Sequence, residues 1–207
     1  MNYGTVEALF AKLHLIRSEK RIAFKARLKH LQRLGFPPGI NTGTGRAASY
    51  GAGEVFLLGL AIELIQLGLS PERAKSVLIV HTREIAQGLV EELLVIGQSI
   101  KGEAINLDAQ MFIGFDPETL QDLSSQPNGI DEPEDMASYS FLVGDGSDLR
   151  KRLGHYDVQE PGRLALIPMT RFVLRLFSKI AEISGGDEAM SFLIALGHWA
   201  TDQLRHD

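Results

Sequence analysis

Apolar residues recur with a helical period through the first half of this chain and give way to a mixed pattern in the second. Val6, Leu9, Phe10 and Leu13 share one face of a helix expected over Val6–Leu15, with Thr5 as its N-cap. A polar interruption follows, in which Ser18 is placed to cap a second helix from about Glu19 to Leu34. Phe24, Leu28 and Leu31 form its apolar stripe, and Gly35 is placed to close it before Pro37-Pro38-Gly39. Glu54 to Leu67 is apolar almost all round, the pattern of a domain's core helix, and Gly68 ends it. Ser70-Pro71-Glu72 reads as N-cap, first-turn proline and first-turn acid of a further helix, expected to run to about Ile96. In that helix Leu78, Ile85, Leu89, Leu93 and Ile96 make a seam compatible with packing against a partner helix. Gly88 argues against a long rigid coiled coil there, since glycine costs about 1 kcal/mol relative to alanine.

Past Gln98 the character changes. Ala109–Phe115, Tyr139–Val143 and Leu164–Ile167 read as short strands. Asp116-Pro117-Glu118 opens a short helix, residues 124–135 form a polar acidic loop, and Gly144-Asp145-Gly146 is a turn. Thr170 is placed to cap a helix to about Ile183, and Asp187 to cap a last one to about Leu204. This half is expected to be α+β.

Charge changes the picture more than composition does. The 207 residues, 44% of them hydrophobic and 23% charged, suffice for a real core. There is no cysteine, which excludes disulfides and thiolate metal sites. No secretory signal is visible, and the apolar run Gly53 to Leu69 contains Glu54, Glu63 and Gln66, so a cytoplasmic protein without a membrane partner is expected. Net charge is −5, but residues 1–52 hold nine lysines and arginines against two acids, a local +7 that leaves −12 for the remainder. Arg21, Lys25, Lys29 and Arg33 follow one another at four-residue steps, and Lys20, Arg27 and His30 widen the basic surface. Like charges at that spacing destabilise a helix by a few tenths of a kcal/mol per pair, a penalty that a polyanion along the helix would remove. Residues 41–50 hold Gly43, Gly45, two threonines and Arg46, suited to a tight hairpin tip. A glycine-rich loop before a helix also suits phosphate, but no Gly-Lys-Ser/Thr follows.

After Tyr50, Glu54-Val55 opens a helix in which Leu58, Ala61 and Leu64 fall at three-residue steps. Gly68-Leu69-Ser70 then precedes Glu72 and Ala74, and upstream stands Leu31-Gln32-Arg33-Leu34-Gly35-Phe36-Pro37. Over about residues 6–80 this order resembles the MerR-type winged helix-turn-helix transcriptional regulators. It departs from them in placing Arg46 four residues before Tyr50 rather than two, and in lacking an aromatic pair near Lys29-His30. The resemblance implies a winged helix DNA-binding domain (1–80). With the pattern of the rest, a mainly α fold with small β is expected, in which a connecting helix (81–100) leads to an α+β oligomerisation or effector domain (101–207) that resembles no nameable effector domain. It also implies a homodimeric, nucleoid-associated regulator of transcription that binds double-stranded DNA, with a protein or small-molecule effector acting on the C-terminal half. The contacts it suggests are Lys20, Arg21, Lys25, Arg27, Lys29 and Arg33 on the basic helix. Arg46 on the hairpin tip would reach a phosphate or the minor groove, and Thr42, Thr44 and Tyr50 would offer hydroxyls to the backbone, although Tyr50 is equally suited to pack under the wing and Arg27 to an ion pair within the protein.

Two other functions compete. The same basic head would serve an architectural DNA-binding protein of a mobile element, in excision, packaging or replicon maintenance. An enzyme in the C-terminal half would have to use residues such as His155, Asp157 and His198, whose spacing matches no nucleophile–base or metal pattern. No catalytic residue, cofactor or metal is therefore expected.

Overall fold

The computed structural model describes residues 1–40, 48–100, 107–115, 141–154 and 164–205. Its architecture is mainly α with one small antiparallel sheet. In chain order come α1 (Tyr3–Leu13), a 3-10 turn (Ser18–Lys20), α2 (Arg21–Arg33), α3 (Ala52–Gln66), α4 (Pro71–Val80) and α5 (Thr82–Ile100). A second 3-10 turn (Leu107–Ala109), β1 (Phe112–Phe115), β2 (Phe141–Gly144), α6 (Gly146–Gly154), β3 (Ala165–Pro168), α7 (Met169–Ser184) and α8 (Gly186–Arg205) follow. The strands lie in the order β2-β1-β3, with Ile113 opposite Val143 on one side and Ile167 on the other.

Helix ends in the first half follow local chemistry. Asn2, not Thr5, caps α1, accepting the Thr5 N–H at 2.9 Å. Three helices then end in the same way, with a residue of positive φ whose neighbour bonds back into the last turn. Gly35 (φ 74°) closes α2 and Gly68 (φ 108°) closes α3, as their positions imply. At α1 the same post is held by Leu15 (φ 52°), and Ile16 N–H reaches Ala11 O at 2.8 Å. Ser70 caps α4 by accepting the Arg73 N–H, with Pro71 in the first turn.

Several expectations need correction. The helix expected from Ser70 to about Ile96 is two helices. The chain leaves helical geometry at His81 (φ −99°, ψ 20°), whose ring stacks on Phe141 with centroids 4.3 Å apart. Ser18 does not cap α2; its hydroxyl bonds Glu19, and a 3-10 turn leads into the helix. Thr170 caps nothing, since α7 begins one residue earlier and Thr170 is buried inside it. The turn at Asp145 also starts a helix that the pattern did not suggest. Asp145 Oδ1 accepts from the N–H groups of Ser147 and Asp148 at 2.8 and 2.9 Å, capping α6. The expected short helix at Asp116 and the acidic loop 124–135 lie outside the described residues.

One hydrophobic core runs through the described residues, from Val6 in α1 to Ala200 in α8. The boundaries expected near residues 80 and 100 therefore do not divide it into separate cores. The seam residues Leu78, Ile85, Leu89 and Ile96 are all buried within this core, which α8 joins along α5. Gly88 fits here as a point of close approach, because a Cβ would lie 2.6 Å from Val143 of β2.

The centre is α3, in which every residue of Val55–Leu64 except Glu63 is buried. Two glycines let rings sit directly on its backbone. A Cβ on Gly53 would lie 2.3 Å from the Trp199 ring of α8. One on Gly59 would lie 2.7 Å from Phe172 of α7 and 2.9 Å from Phe10 of α1. Phe56 packs between them, its ring centroid 5.8 Å from that of Phe172 and 6.0 Å from that of Trp199. Gly53→Ala should lower stability by about 1–3 kcal/mol, although alanine is the better helix former by about 1 kcal/mol. Trp199 is the chain's single tryptophan, so its fluorescence in a urea titration reads this contact; an unchanged or higher midpoint would contradict the packing.

Two ionisable groups, the partly buried His14 and the fully buried Glu92, give stability opposite pH dependences. His14 Nδ1 accepts from Gln66 at 2.9 Å, while burial and the nearby Arg175 charge lower its pKa from 6.5 to about 4. The native state thus disfavours the proton. The contribution of His14 is present above pH 6.5 and is lost as pH falls through about 4, at most about 3 kcal/mol. Glu92 is fully buried on α5, with Oε2 accepting the Met111 N–H at 2.8 Å, and burial pushes its carboxyl above the ordinary range. Its contribution is present below the ordinary carboxylate pKa of 4.5 and is lost as pH rises. His14→Asn should flatten the fall in unfolding free energy between pH 7 and 4, and Glu92→Gln should raise stability at pH 8. Unfolding curves for either variant parallel to the parent's across this range would refute its assignment.

Candidate nucleic-acid interface

The inner face of α2 is set by Phe24, Leu28 and Leu31, all buried, as their spacing implies. Its two neighbours fix how it is held. On the α1 side, Glu7 is buried and accepts from Arg21 Nε at 2.7 Å, with Lys25 Nζ at 3.8 Å from its other oxygen. On the α4 side, His30 Nε2 lies 3.1 Å from Glu72 Oε1, and Lys75 Nζ donates to the Leu34 carbonyl at 2.6 Å. The Glu72 carboxyl is held below its ordinary range, first by its own backbone N–H and then by His30 and Ser70. A lysine on the last carbonyls of a helix also matches the negative end of its dipole.

The four-residue row of cations is therefore split. Each step of four residues advances about 40° around a helix, so the row turns about 120° from Arg21 to Arg33. Its first half comes to rest against Glu7, and its second half, Lys29 and Arg33, points outward. Lys20, Arg27, Lys29 and Arg33 are exposed and have no ion-pair partner among the described residues. Glu7 and Glu72 are occupied by Arg21, Lys25 and His30 on the helix's flanks, and Glu19 accepts from Ser18. The outward side of α2 thus carries uncompensated positive charge.

Tyr50 lies elsewhere than expected for a DNA contact. It is buried, its hydroxyl hydrogen-bonds Gln32 of α2, and its backbone N–H reaches Met1 O at 2.7 Å. Ser49 pairs with Asn2 in an antiparallel bridge. Tyr50 therefore ties residues 48–50 to α2, and its hydroxyl is committed to Gln32. Thr42, Thr44 and Arg46 lie outside the described residues. Sequence reasoning missed Glu7, Glu72 and Lys75, which orient α2. They stand 14, 42 and 41 positions from their partners, beyond any local pattern.

A second basic row lies on α7. There Arg175 donates to the Leu13 carbonyl at 2.7 Å and stands 3.6 Å from Glu63, while Lys179 pairs with Glu182 at 2.5 Å. Two shallow clefts of about 300 and 410 Å3 flank this helix beside Arg171. Most of this charge is neutralised within the protein. His155 and Asp157 fall outside the described residues, and His198 is exposed on α8 with Thr201, Asp202 and Arg205 around it. Among the described residues no three His, Asp or Glu side chains gather to hold a metal ion, and no helix is long and apolar enough to cross a membrane.

No family model, curated protein or solved structure matches the chain. The functional reading accordingly rests on its own residues and geometry. The division of the cations is directly testable. Glu7→Gln should cost about 1–3 kcal/mol, because it weakens a buried charged hydrogen bond. Arg27→Ala, at an exposed and unpaired site, should stay within about 0.5 kcal/mol of the parent. Equal effects in thermal or urea unfolding would remove the distinction between structural and free cations.

Proposed function

We propose that this protein is a sequence-specific, double-stranded DNA-binding regulator of transcription of MerR-like winged-helix type, acting as a homodimer. The observation that carries the reading is the outward side of α2. It is a helix of 13 residues with its apolar face docked on α1 and α4, with Lys29 and Arg33 free on the outward side and with Arg27 and the preceding Lys20 also unpaired among the described residues. A helix of this kind fits the major groove, which is wide enough to admit it, and unpaired cations along it neutralise phosphates on either side. The tie between residues 48–50 and Asn2 supports a hairpin returning beside α2, in keeping with a wing next to a recognition helix. Homodimerisation, in this reading, uses a surface other than the α5 seam, because that seam is already filled from within the chain.

Duplex DNA binding should weaken with salt, with a log–log slope near −0.9 for each phosphate neutralised. Lys29→Glu combined with Arg33→Glu should abolish binding without lowering the melting temperature. Arg171→Glu, outside α2, should leave affinity nearly unchanged. Fluorescence anisotropy with a labelled duplex from 50 to 300 mM salt makes the measurement. Retention independent of salt, or full affinity in the double variant, would reject the reading.

A further inference from the structure

Between the free cations of α2 lies a feature the charge pattern does not explain. Ile22 is 84% exposed, and Ala23 and Ala26 are exposed beside it. With about 100° per residue, Ile22, Ala26, Lys29 and Arg33 fall within an arc of about 60°, opposite Phe24, Leu28 and Leu31. On the outward side Ile22 and Ala26 thus form an apolar, low stretch in the N-terminal turns, and Lys29 and Arg33 follow on the same side toward the C-terminus. No Asn, Ser or Thr occurs in α2, and its one Gln, Gln32, is held by Tyr50. The hydrogen-bonding side chains that commonly distinguish adenine are therefore missing from the outer face. Only one group on the major-groove edge of a base pair is apolar, the C5-methyl of thymine.

We infer that Ile22, with Ala26 beside it, reads thymine methyl groups in the major groove, while Lys29 and Arg33, farther along the same side of the helix, meet phosphates. This rests on the DNA-binding function proposed above and names what that surface recognises. An isoleucine so exposed costs apolar hydration in the free protein, and burying it against a methyl removes that cost. The small Ala23 and Ala26 let the helix backbone approach the base edges closely enough for the contact. Positive charge farther along the same side complements the phosphates of a duplex, which distinguishes this occupant from an apolar protein surface.

The test uses the full chain and a duplex selected from a random pool. That duplex is resynthesised with deoxyuridine replacing thymidine one position at a time, which deletes only the methyl group. At one or two thymidines per half-site, affinity should fall about fourfold for each methyl lost. Ile22→Ser should bind the thymidine duplex more weakly and make thymidine and deoxyuridine equivalent at those positions, with the salt slope unchanged. A parent protein indifferent to every deoxyuridine overturns this inference and leaves DNA binding standing. So does a methyl effect that survives intact in Ile22→Ser. Failure of the parent to bind any duplex overturns the inference and the proposed function together.

Discussion

The structure depends on aromatic rings seated directly on the backbone of α3. Gly53 and Gly59 remove the two Cβ atoms that would hold Trp199, Phe10 and Phe172 away. These rings belong to α8, α1 and α7, so a single helix fastens the first helix of the chain to its last two. The one described core follows from this constraint. A nearly all-apolar helix has no solvent face to keep, and the lowest free energy is reached by covering it on every side.

The position of α2 follows from that arrangement. It is held through intermediaries: α1, pinned to α3 by Phe10, offers Glu7, and α4, following α3 through the Gly68 turn, offers Glu72 and Lys75. Each polar tie lands on a flank or on the C-terminal end of α2, and the apolar residues take its base. Only the outward arc is left, with Ile22 and Ala26 in its first turns and Lys29 and Arg33 in its last. Electrostatics and packing thus act on different faces of one helix. The buried Glu7 engages Arg21 and Lys25, and Lys29 and Arg33 on the outward side remain without an ion-pair partner among the described residues. On α7 the opposite holds, since Glu63, Glu182 and the Leu13 carbonyl absorb Arg175 and Lys179.

Much of the helical architecture was legible in the sequence, because the signals there are local. The Ser70-Pro71-Glu72 start, the Gly35 and Gly68 ends and the Phe24–Leu28–Leu31 stripe each lie within one or two helical turns. The break at His81 was not legible. Apolar spacing continues across it, and it is marked by a ring stack with Phe141, 60 positions away. Leu15 in a left-handed conformation was hidden for a related reason, since glycine was the residue to look for. At the candidate site the basic helix was visible, but its division into committed and free cations was not. Glu7 is indistinguishable from a surface acid until α1 and α2 are packed together. Tyr50 shows the same limit, for a tyrosine after a glycine-rich hairpin fits a ligand contact and a buried strut equally well.

The central claim is that the outward arc of α2 is the surface this fold holds ready for a duplex. Backbone amide resonances followed by NMR during titration with duplex DNA at low salt test it most directly. The account predicts shifts concentrated between Lys20 and Arg33 and at residues 48–50, with α7 around Arg171 and Lys179 unaffected. Shifts centred on α7 with α2 silent would contradict it.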